Sequence, residues 1–357
     1  MRVRVTRPAE LGSAELDRWR CLHQGSDHLG SPFLAAEYVR AVGAVRASVR
    51  VAVVEDGGQI VGFFPYEQRG RLAKPLGGGL SDCTGLVHEA GYDGVSARLL
   101  RGCGLVGWDF GNLLDEQVPA AARYVVRDVS PVLDLSGGYE AYLEAKRASS
   151  KNLVQSTLRK QRKMQREIGE LRFDFESRDP AVLGMLMGWK SGQYREMGEW
   201  DRFADPPIVR LVRDLLGTAS TGCAGTLSVL YAGDRPVAAH FGIRSRSALS
   251  WWFPAYDPAL ARYSPGLQLL FAMAEGAAER GVGSINLGMG EHPYKDAAKT
   301  ADLVLARGFL DDSSPAGLAR RAKRAPRYHA RTLLRKNPRL HQTAVRMITR
   351  LAPGVVR

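Results

Sequence analysis

The sequence predicts a mixed α/β fold made of two similar halves. Strand-like and helix-like hydrophobic patterns alternate from Arg2 onward, which is typical of α/β proteins. Two glycine turns that each lead into an apolar strand, Gly57-Gly58 and Gly233-Asp234, lie 176 positions apart, and two helical patterns precede each turn. A period near half of the 357 residues predicts a duplicated unit, with two unrelated hairpins as the alternative.

The first half opens with a strand and two helices near Ala14–Leu22 and Phe33–Val42. Ser31-Pro32 begins the second helix, because a capping serine followed by proline suits the first turn. The remaining elements predicted for this half are the hairpin Val49–Glu55 and Gln59–Tyr66, a glycine-rich loop at 76–82, a helix near Val95–Gly102, and strands Leu105–Phe110, Tyr124–Arg127 and Val132–Leu135.

The second half starts after a basic stretch. Ser136–Glu170 predicts two helices, and its segment Lys146–Arg166 holds eight Lys or Arg residues and no acid. This segment forms either a cationic wall beside a substrate or a solvated linker, and charges on every helix face favour the linker. The elements predicted next are strand Leu171–Glu176, helices Ala181–Glu196 and Pro207–Leu216, strands Thr226–Tyr231, Pro236–Ile243 and Ala248–Tyr256, helix Gly266–Arg280, and strands Ser284–Leu287 and Asp302–Arg307.

The composition predicts a folded protein of the cytoplasm. Hydrophobic residues make up 45% and charged residues 24%, which excludes a wholly disordered or collagenous chain. No uncharged apolar run approaches the roughly 20 residues that span a bilayer, and no signal-peptide pattern follows Met1. The four cysteines include no Cys-x-x-Cys pair and no His/Cys pair has metal-ligand spacing, so we expect neither a disulfide framework nor a metal.

The net charge of +13 belongs to the C-terminal tail. Residues 313–357 hold 12 Lys or Arg and no acid, which leaves 38 basic against 37 acidic residues in the body, so we expect no DNA partner. Apolar residues from Leu340 to Leu351 alternate with arginines, a pattern of helices that lie on a membrane surface, although docking on the body or RNA binding would also use it. The predicted division is 1–135, a linker 136–170, a second half 171–312 and the tail 313–357.

The stretch Tyr263-Ser264-Pro265-Gly266 is a candidate anion site. It joins a predicted strand to a predicted helix, and the first N–H groups of a helix lack internal partners at the positive end of its dipole. Such a junction suits a phosphate or diphosphate. A plain helix start is the alternative, because serine and proline are favoured there in any case.

A second candidate site is Gly288-Met289-Gly290-Glu291-His292-Pro293-Tyr294-Lys295, directly after a predicted strand. Glycines permit close backbone approach, and the carboxyl ends of strands are where α/β proteins place sites. Glu291 or His292 is suited to take a proton from an attacking amine, and Tyr294 to return one to a leaving thiolate. Lys295 is suited to balance negative charge; a solvated polar loop is the alternative.

Other ionisable residues have simpler explanations. His240 lies mid-strand, where histidines are mostly packing residues, and Asp257 follows a strand, where turn formation or capping accounts for it. Lys190 and Tyr194 share a helix face that either contacts an acceptor or is plain surface. No dinucleotide fingerprint, Walker loop or nucleophile elbow is present.

Four short motifs occur in this order: Gly233-Asp-x-Pro-Val-Ala-Ala, Ala255-Tyr-Asp, Tyr263-Ser-Pro-Gly and Gly288-x-Gly-x-x-x-Tyr-Lys. In the order and spacing of these motifs the sequence resembles the bacterial CelD-like acyltransferases of the GNAT superfamily. These proteins are similar in architecture to the FemABX aminoacyl-transferases, which carry two GNAT-like domains in tandem. The likeness is best over about residues 152–310 and does not extend to the tail. It implies a tandem GNAT-like α/β fold with a mixed sheet.

The resemblance implies an acyltransferase, more narrowly an N-acetyltransferase, with acyl-CoA, acetyl-CoA first, as co-substrate and no tightly bound cofactor. It implies donor binding by Arg262, Tyr263, Ser264, Pro265 and Gly266. It places Tyr294 and Lys295 at the reacting centre, beside the candidates Glu291, His292 and Asp257.

The expected acceptor is a small molecule or a glycan or peptide precursor of the cell envelope, reached in the cytoplasm or at the inner membrane face. Only Arg262 and Gly266 of the usual GNAT donor signature are recognisable, so two alternatives stay open: aminoacyl transfer from tRNA, as in FemABX proteins, and a non-catalytic binding protein on the same fold.

Overall fold

A computed structural model describes residues 1–26, 29–290 and 292–324 of the chain. Within these ranges, 14 strands form a single mixed sheet. The strands are β1 (Arg2–Thr6), β2 (Val49–Asp56), β3 (Gln59–Arg69), β4 (Leu72–Lys74), β5 (Val87–His88), β6 (Gly107–Leu114), β7 (Arg123–Asp134), β8 (Leu171–Asp174), β9 (Ala224–Ala232), β10 (Arg235–Arg244), β11 (Ala248–Ser250), β12 (Phe253–Tyr256), β13 (Ser284–Asn286) and β14 (Ala301–Asp311).

Helices cover both faces of this sheet, as expected for an α/β protein. Their bounds are α1 (Ser13–Gln24), α2 (Ala36–Val45), α3 (Ala97–Gly102), α4 (Gly138–Ser149), α5 (Lys151–Glu167), α6 (Pro180–Met197), α7 (Pro206–Leu216), α8 (Pro265–Glu279) and α9 (Pro293–Ala298).

The strand pairing contains the same unit twice. In the first half the order is β1-β2-β3-β4-β6, and in the second it is β8-β9-β10-β11-β13. The last pair of each series is parallel, whereas the preceding pairs are antiparallel. Two helices separate the first two strands in each series: α1 and α2 in the first, α6 and α7 in the second. The duplication predicted from the two glycine turns is therefore present in the topology.

The two halves exchange their last strands. β7, from the first half, pairs with β13 of the second, and β14, from the second half, pairs with β6 of the first. β7 and β14 also pair with each other at the centre of the sheet. The predicted divisions at residues 135 and 312 separate two halves along the sequence. In space, each half contributes one strand to the sheet of the other.

One core is shared by both halves, and two others are separate. On one face, α1, α2, α6 and α7 pack into a common apolar cluster that includes the buried side chains of Trp19, Tyr38 and Phe253. On the opposite face, α3 covers the first half, and α4, α5 and α8 cover the second. The shared core fixes the halves against each other, because burial of this much apolar surface dominates packing energy.

The structure differs from the sequence predictions in several places. The second helix begins at Ala36, because Ser31-Pro32 start a separate short 3-10 helix, Pro32–Leu34, and the short helix α9 was not predicted. β7 is one strand of 12 residues where two short strands were predicted. The predicted strand Ala248–Tyr256 is interrupted at Trp251-Trp252. The basic segment is no solvated linker, because Val154 and Met164 of α5 are buried and Lys146 of α4 is only 3% exposed.

After β14 the chain forms a helix from residue 315 that continues to residue 324, where the description ends. Arg320 and Arg324 of this helix form ion pairs with Asp109 of β6, and Arg320 also pairs with Asp311. The apolar and arginine stripe predicted from Leu340 onward lies outside the described residues, as does Glu291.

Candidate active site

Two parallel strands of the second half separate at their carboxyl ends. β11 and β13 pair from Ala248 with Ser284 to Ser250 with Asn286, and the Trp251 N–H donates to the Asn286 carbonyl at 2.8 Å. Beyond this bond β12 pairs with β10, whereas the Leu287 N–H donates to the carbonyl of Pro131 in β7 at 2.8 Å. We call the resulting gap the opening. The helix α8 follows β12 and the loop 288–295 follows β13, so both candidate sites lie at the same edge of the sheet.

The first candidate stretch forms a tight turn at the N-terminus of α8, here called the donor loop (residues 263–266). Ser264 adopts a left-handed conformation with φ of 53°, and Pro265 begins the helix. A Cβ added at Gly266 would lie in van der Waals contact with the Tyr256 ring, 3.4 Å away. The Lys160 ammonium of α5 donates to Ser264 Oγ at 2.7 Å. The N–H groups of Leu267 and Gln268 bond to the Ser264 carbonyl, so the Gly266 N–H is the backbone donor of this turn. Together with the Lys160 ammonium and the Ser264 hydroxyl it suits a phosphate.

Arg262 and Tyr263, the other two residues of the predicted donor site, contact helix α5. Tyr263 is completely buried, and its hydroxyl donates to Glu167 at 2.6 Å. The Arg262 guanidinium lies 4.7 Å from the centre of the Tyr263 ring and 3.5 Å from the Glu167 carboxylate. Their described contacts therefore tie the donor loop to the end of α5.

Lys295 closes the loop that follows β13. Its ammonium donates to the carbonyls of Gly288 at 3.0 Å and Met289 at 3.1 Å, and the residue is only 7% exposed. Gly288 and Gly290 adopt left-handed φ values of 72° and 112°, which glycine tolerates best. Burial lowers the pKa of Lys295. An ammonium has three N–H groups, so one remains for a ligand.

His292 directly precedes α9 and Tyr294 lies in its first turn, with ring centres 6.0 Å apart. Burial raises the pKa of Tyr294, and the neighbouring Trp251 indole opposes that rise. His292 is exposed; partial burial and then the charges of Lys295 and Lys190 lower its pKa. His292 is therefore neutral, and able to accept a proton, over a wider pH range than a free histidine.

The first half supplies an acid that the sequence did not reveal. Asp82 accepts a hydrogen bond from Ser250 Oγ at 3.0 Å, and its carboxylate lies 3.5–3.6 Å from where a Cβ of Gly288 would stand. The side chain keeps some exposure, yet burial raises its pKa to about 6, although the Ser250 bond and the Lys295 charge act in the opposite direction. A carboxylate with a pKa near working pH is suited to general base catalysis.

The loop that carries Asp82, residues 76–82, is locked between the halves. Its three glycines, Gly77 to Gly79, all have positive φ values. The Trp252 indole N–H donates to the Leu80 carbonyl at 3.0 Å, and Ser81 Oγ lies 2.8 Å from the Tyr38 hydroxyl. The only sequence signal for this site is a run of glycines followed by an aspartate, and nothing in it indicates contact with residues 168 positions away.

The predicted helix face of Lys190 and Tyr194 borders the same region. The Lys190 ammonium lies 5.3 Å from the centre of the Tyr194 ring, and the Arg202 guanidinium lies 5.8 Å from it. Burial, and to a smaller extent the charges of Arg202 and Lys295, lower the pKa of Lys190 to about 8. The shared-core face of the sheet thus carries several cations beside Asp82.

His240 and Asp257 have structural contacts. His240 is buried, its Nε2 lies 3.0 Å from the Ser250 carbonyl, and its ring stacks on Trp251. Burial lowers its pKa to about 3, so the ring is neutral. Asp257 accepts the Ala259 N–H at 3.0 Å and pairs with Arg235 at 2.5 Å. Its contacts are those of a cap, which gives the predicted catalytic Asp257 no place in the cluster around Asp82.

No group of three or more His, Cys, Asp or Glu side chains in the described part of the chain is arranged to hold a metal ion. No helix there combines the length and apolar character needed to cross a bilayer.

The fold is a tandem GNAT-like fold with FemABX-like architecture. The structure is similar to that of FemX, with a TM-score of 0.57 and 7% identity over 86% of this chain and 97% of that one. It is also similar to the C-terminal domain of a protein assigned as a lysylphosphatidylglycerol synthetase from Agrobacterium fabrum, with a TM-score of 0.52 and 16% identity over 85% and 93% of the two chains.

A conserved protein of unknown function from Bacteroides thetaiotaomicron gives a TM-score of 0.57 at 10% identity, over 87% of this chain and all of that one. Residues 152–296 match the family model of the acetyltransferase (GNAT) domain, so the matched segment contains the donor loop, Lys190 and Lys295. A comparison with curated proteins gives no match.

Proposed function

We propose that this protein is an acyltransferase that moves an acyl group from acyl-CoA, acetyl-CoA in the simplest case, to an amine or hydroxyl of an acceptor. The observation that supports this best is the meeting of three features at one edge of the sheet: the donor loop, the opening, and the Asp82 carboxylate beside Lys295. The narrower assignment to the CelD-like acyltransferases, and within them to N-acetyltransferases, is part of the proposal.

The donor is held at its phosphates and reacts in the opening. The Gly266 N–H, with Ser264 and Lys160, receives the diphosphate of CoA, and the thioester enters between β12 and the chain after β13. A thioester is already activated, so positioning does much of the work and can lower a barrier by roughly 7–11 kcal/mol. No covalent intermediate on the protein is required.

Proton transfer completes the exchange of bonds. The acceptor nitrogen attacks the thioester carbonyl, a C–N bond forms, and the C–S bond breaks as electrons pass to sulfur. Asp82, whose pKa burial raises to about 6, or the neutral His292 takes the proton lost by the attacking amine. Tyr294 gives a proton to the leaving thiolate, and the remaining Lys295 N–H stabilises developing negative charge.

A second donor is favoured by one specific observation. Helix α5 is basic and its Lys160 contacts the donor loop, an arrangement that also suits the phosphate backbone of a tRNA. FemX shares the fold, so aminoacyl transfer from tRNA to an envelope precursor is the second candidate function. Either reaction would take place in the cytoplasm, with the basic tail as a possible contact to the inner membrane face.

Isothermal titration with acetyl-CoA and with charged tRNA separates the candidates. The proposed function predicts saturable binding of acetyl-CoA that Gly266→Trp abolishes, because the indole would fill the space beside Tyr256. Gly184→Trp is the matched control: Gly184 is exposed on α6 with no atom near its Cβ position, and it should bind like the wild type. Binding of charged tRNA alone supports the second candidate, and binding of neither supports a non-catalytic protein.

A further inference from the structure

A cavity lies between the two halves, on the shared-core side of the sheet. It measures about 290 Å³ and is walled by β7, β11, β13 and β14 together with the turn around Phe33. Ligand pockets commonly lie at such interfaces between domains. Neither the donor loop nor the loop 288–295 contributes to its walls.

The inner end of this cavity touches the opening. Ser250 and Asn286 are the last paired residues of β11 and β13 before the strands separate, and both line the cavity. Ser250 is the residue that donates to Asp82 at 3.0 Å. Leu249 and Trp251 face the α8 side of the sheet, so Ser250 points to the other side. The cavity therefore borders the opening, on the face of the sheet opposite the donor loop.

Several polar groups in the cavity wall are already engaged by the protein. The Asn286 carbonyl oxygen of the side chain accepts from Ser130 Oγ at 2.6 Å and from the Gly288 N–H at 2.8 Å. Both carboxylate oxygens of Asp302 lie 2.9 Å from the Lys299 ammonium. The rest of the wall is largely apolar, with Pro32, Phe33, Leu114, Val132 and Leu303 among the lining residues. Such walls suit a hydrocarbon chain better than a sugar or peptide.

From this geometry we infer that the cavity receives the acyl chain of the donor, so the preferred donor carries an acyl group longer than acetyl. The inference rests on the proposed function and specifies the length of the donor's acyl group. A volume of about 290 Å³ accommodates about ten heavy atoms at roughly 30 Å³ each. The acceptor then approaches from the side of Lys190 and Arg202, where charged groups are exposed to it.

Titration with acetyl-, hexanoyl- and octanoyl-CoA tests the inference by calorimetry. Each buried methylene should strengthen binding by about three- to fourfold, so octanoyl-CoA should bind the wild type far more tightly than acetyl-CoA. Ala248→Phe places a ring in the cavity and should lower the ratio of octanoyl to acetyl affinity at least tenfold. The control Ala181→Phe, on the exposed start of α6, should keep the wild-type ratio.

Two results would overturn the inference and leave the proposed function intact: equal wild-type affinity for acetyl- and octanoyl-CoA, or an unchanged ratio in Ala248→Phe. If the wild type binds none of the CoA thioesters, both the inference and the proposed function are overturned. Ala248→Val is the second variant if the phenylalanine variant does not fold, because a β-branched residue suits a strand; it should lower the same ratio by a smaller factor.

Discussion

At the scale of single residues, the proposed chemistry uses two side chains that the sequence predicts, Tyr294 and Lys295, and one that it does not, Asp82. Tyr294 and Lys295 belong to a local motif after a strand, and the structure puts both beside the opening. Asp82 comes from the other half and acquires its properties from burial and from Ser250. Its role as a base follows from these surroundings alone.

Replacement of Asp82 by asparagine should change how stability depends on pH. The folded-state pKa of about 6 lies above the unfolded value near 3.8, so the protonated form is favoured by folding and stability is lost as pH rises between these values. The free energy of unfolding is measured with urea for the wild type and for Asp82→Asn. Between pH 4 and pH 7 the wild type should lose about 2 kcal/mol more of it than the variant does. His240 titrates in both proteins and cancels in this comparison. A difference between the two proteins that stays constant with pH would contradict the burial of this carboxylate.

Sequence patterns are informative at this scale only where partners are close along the chain. The Gly288 to Lys295 segment brings its glycines, tyrosine and lysine together within eight residues. The bond between Asp82 and Ser250 spans 168 residues and is created by packing of one half on the other. The cap made by Asp257 shows the opposite case, in which a local turn explains a carboxylate that looked chemically suggestive.

At the scale of elements, α5 and α8 act together at the donor loop. The spread of charge around α5 favoured a solvated linker, but Val154 and Met164 are buried and Lys160 reaches Ser264. A few apolar positions between many cations are a weak signal in the sequence, although they suffice to pack a helix on one side.

Removal of the Lys160 ammonium should weaken binding of acetyl-CoA. We expect Lys160→Ala to raise the Kd about tenfold at 50 mM salt and by a smaller factor at 300 mM, because salt screens the contact with phosphate. Lys163→Ala is the control on the same helix, since that lysine is half-exposed and lies 3.9 Å from Glu167. Equal losses in the two variants, measured by calorimetry, would mean that α5 contributes only general positive charge.

At the scale of the whole molecule, duplication and strand exchange determine where the site lies. The glycine turns at Gly57 and Gly233 mark the repeat, so the sequence predicts two similar halves. It does not predict that β7 and β14 change places, because the pairing of a strand depends on its partners in space. The exchange and the shared core hold Asp82 of one half against the opening of the other.

Separated halves should therefore fold only together. Expressed alone, residues 1–135 lack the partner strand for β6, and residues 136–357 lack the one for β13, which leaves edges open to aggregation. We expect each fragment alone to be aggregated or unfolded by size exclusion and circular dichroism, and the co-expressed pair to form a folded complex. A folded, monomeric second fragment that binds acetyl-CoA would contradict this dependence.

A crystal structure with acetyl-CoA bound tests the central claim most directly. We predict the diphosphate within hydrogen-bond distance of the Gly266 N–H and Ser264, with the thioester in the opening between Trp251 and Leu287 and its carbonyl beside Asp82 and Lys295. CoA phosphates bound elsewhere, or a thioester kept out of the opening by closed backbone pairing, would contradict the account.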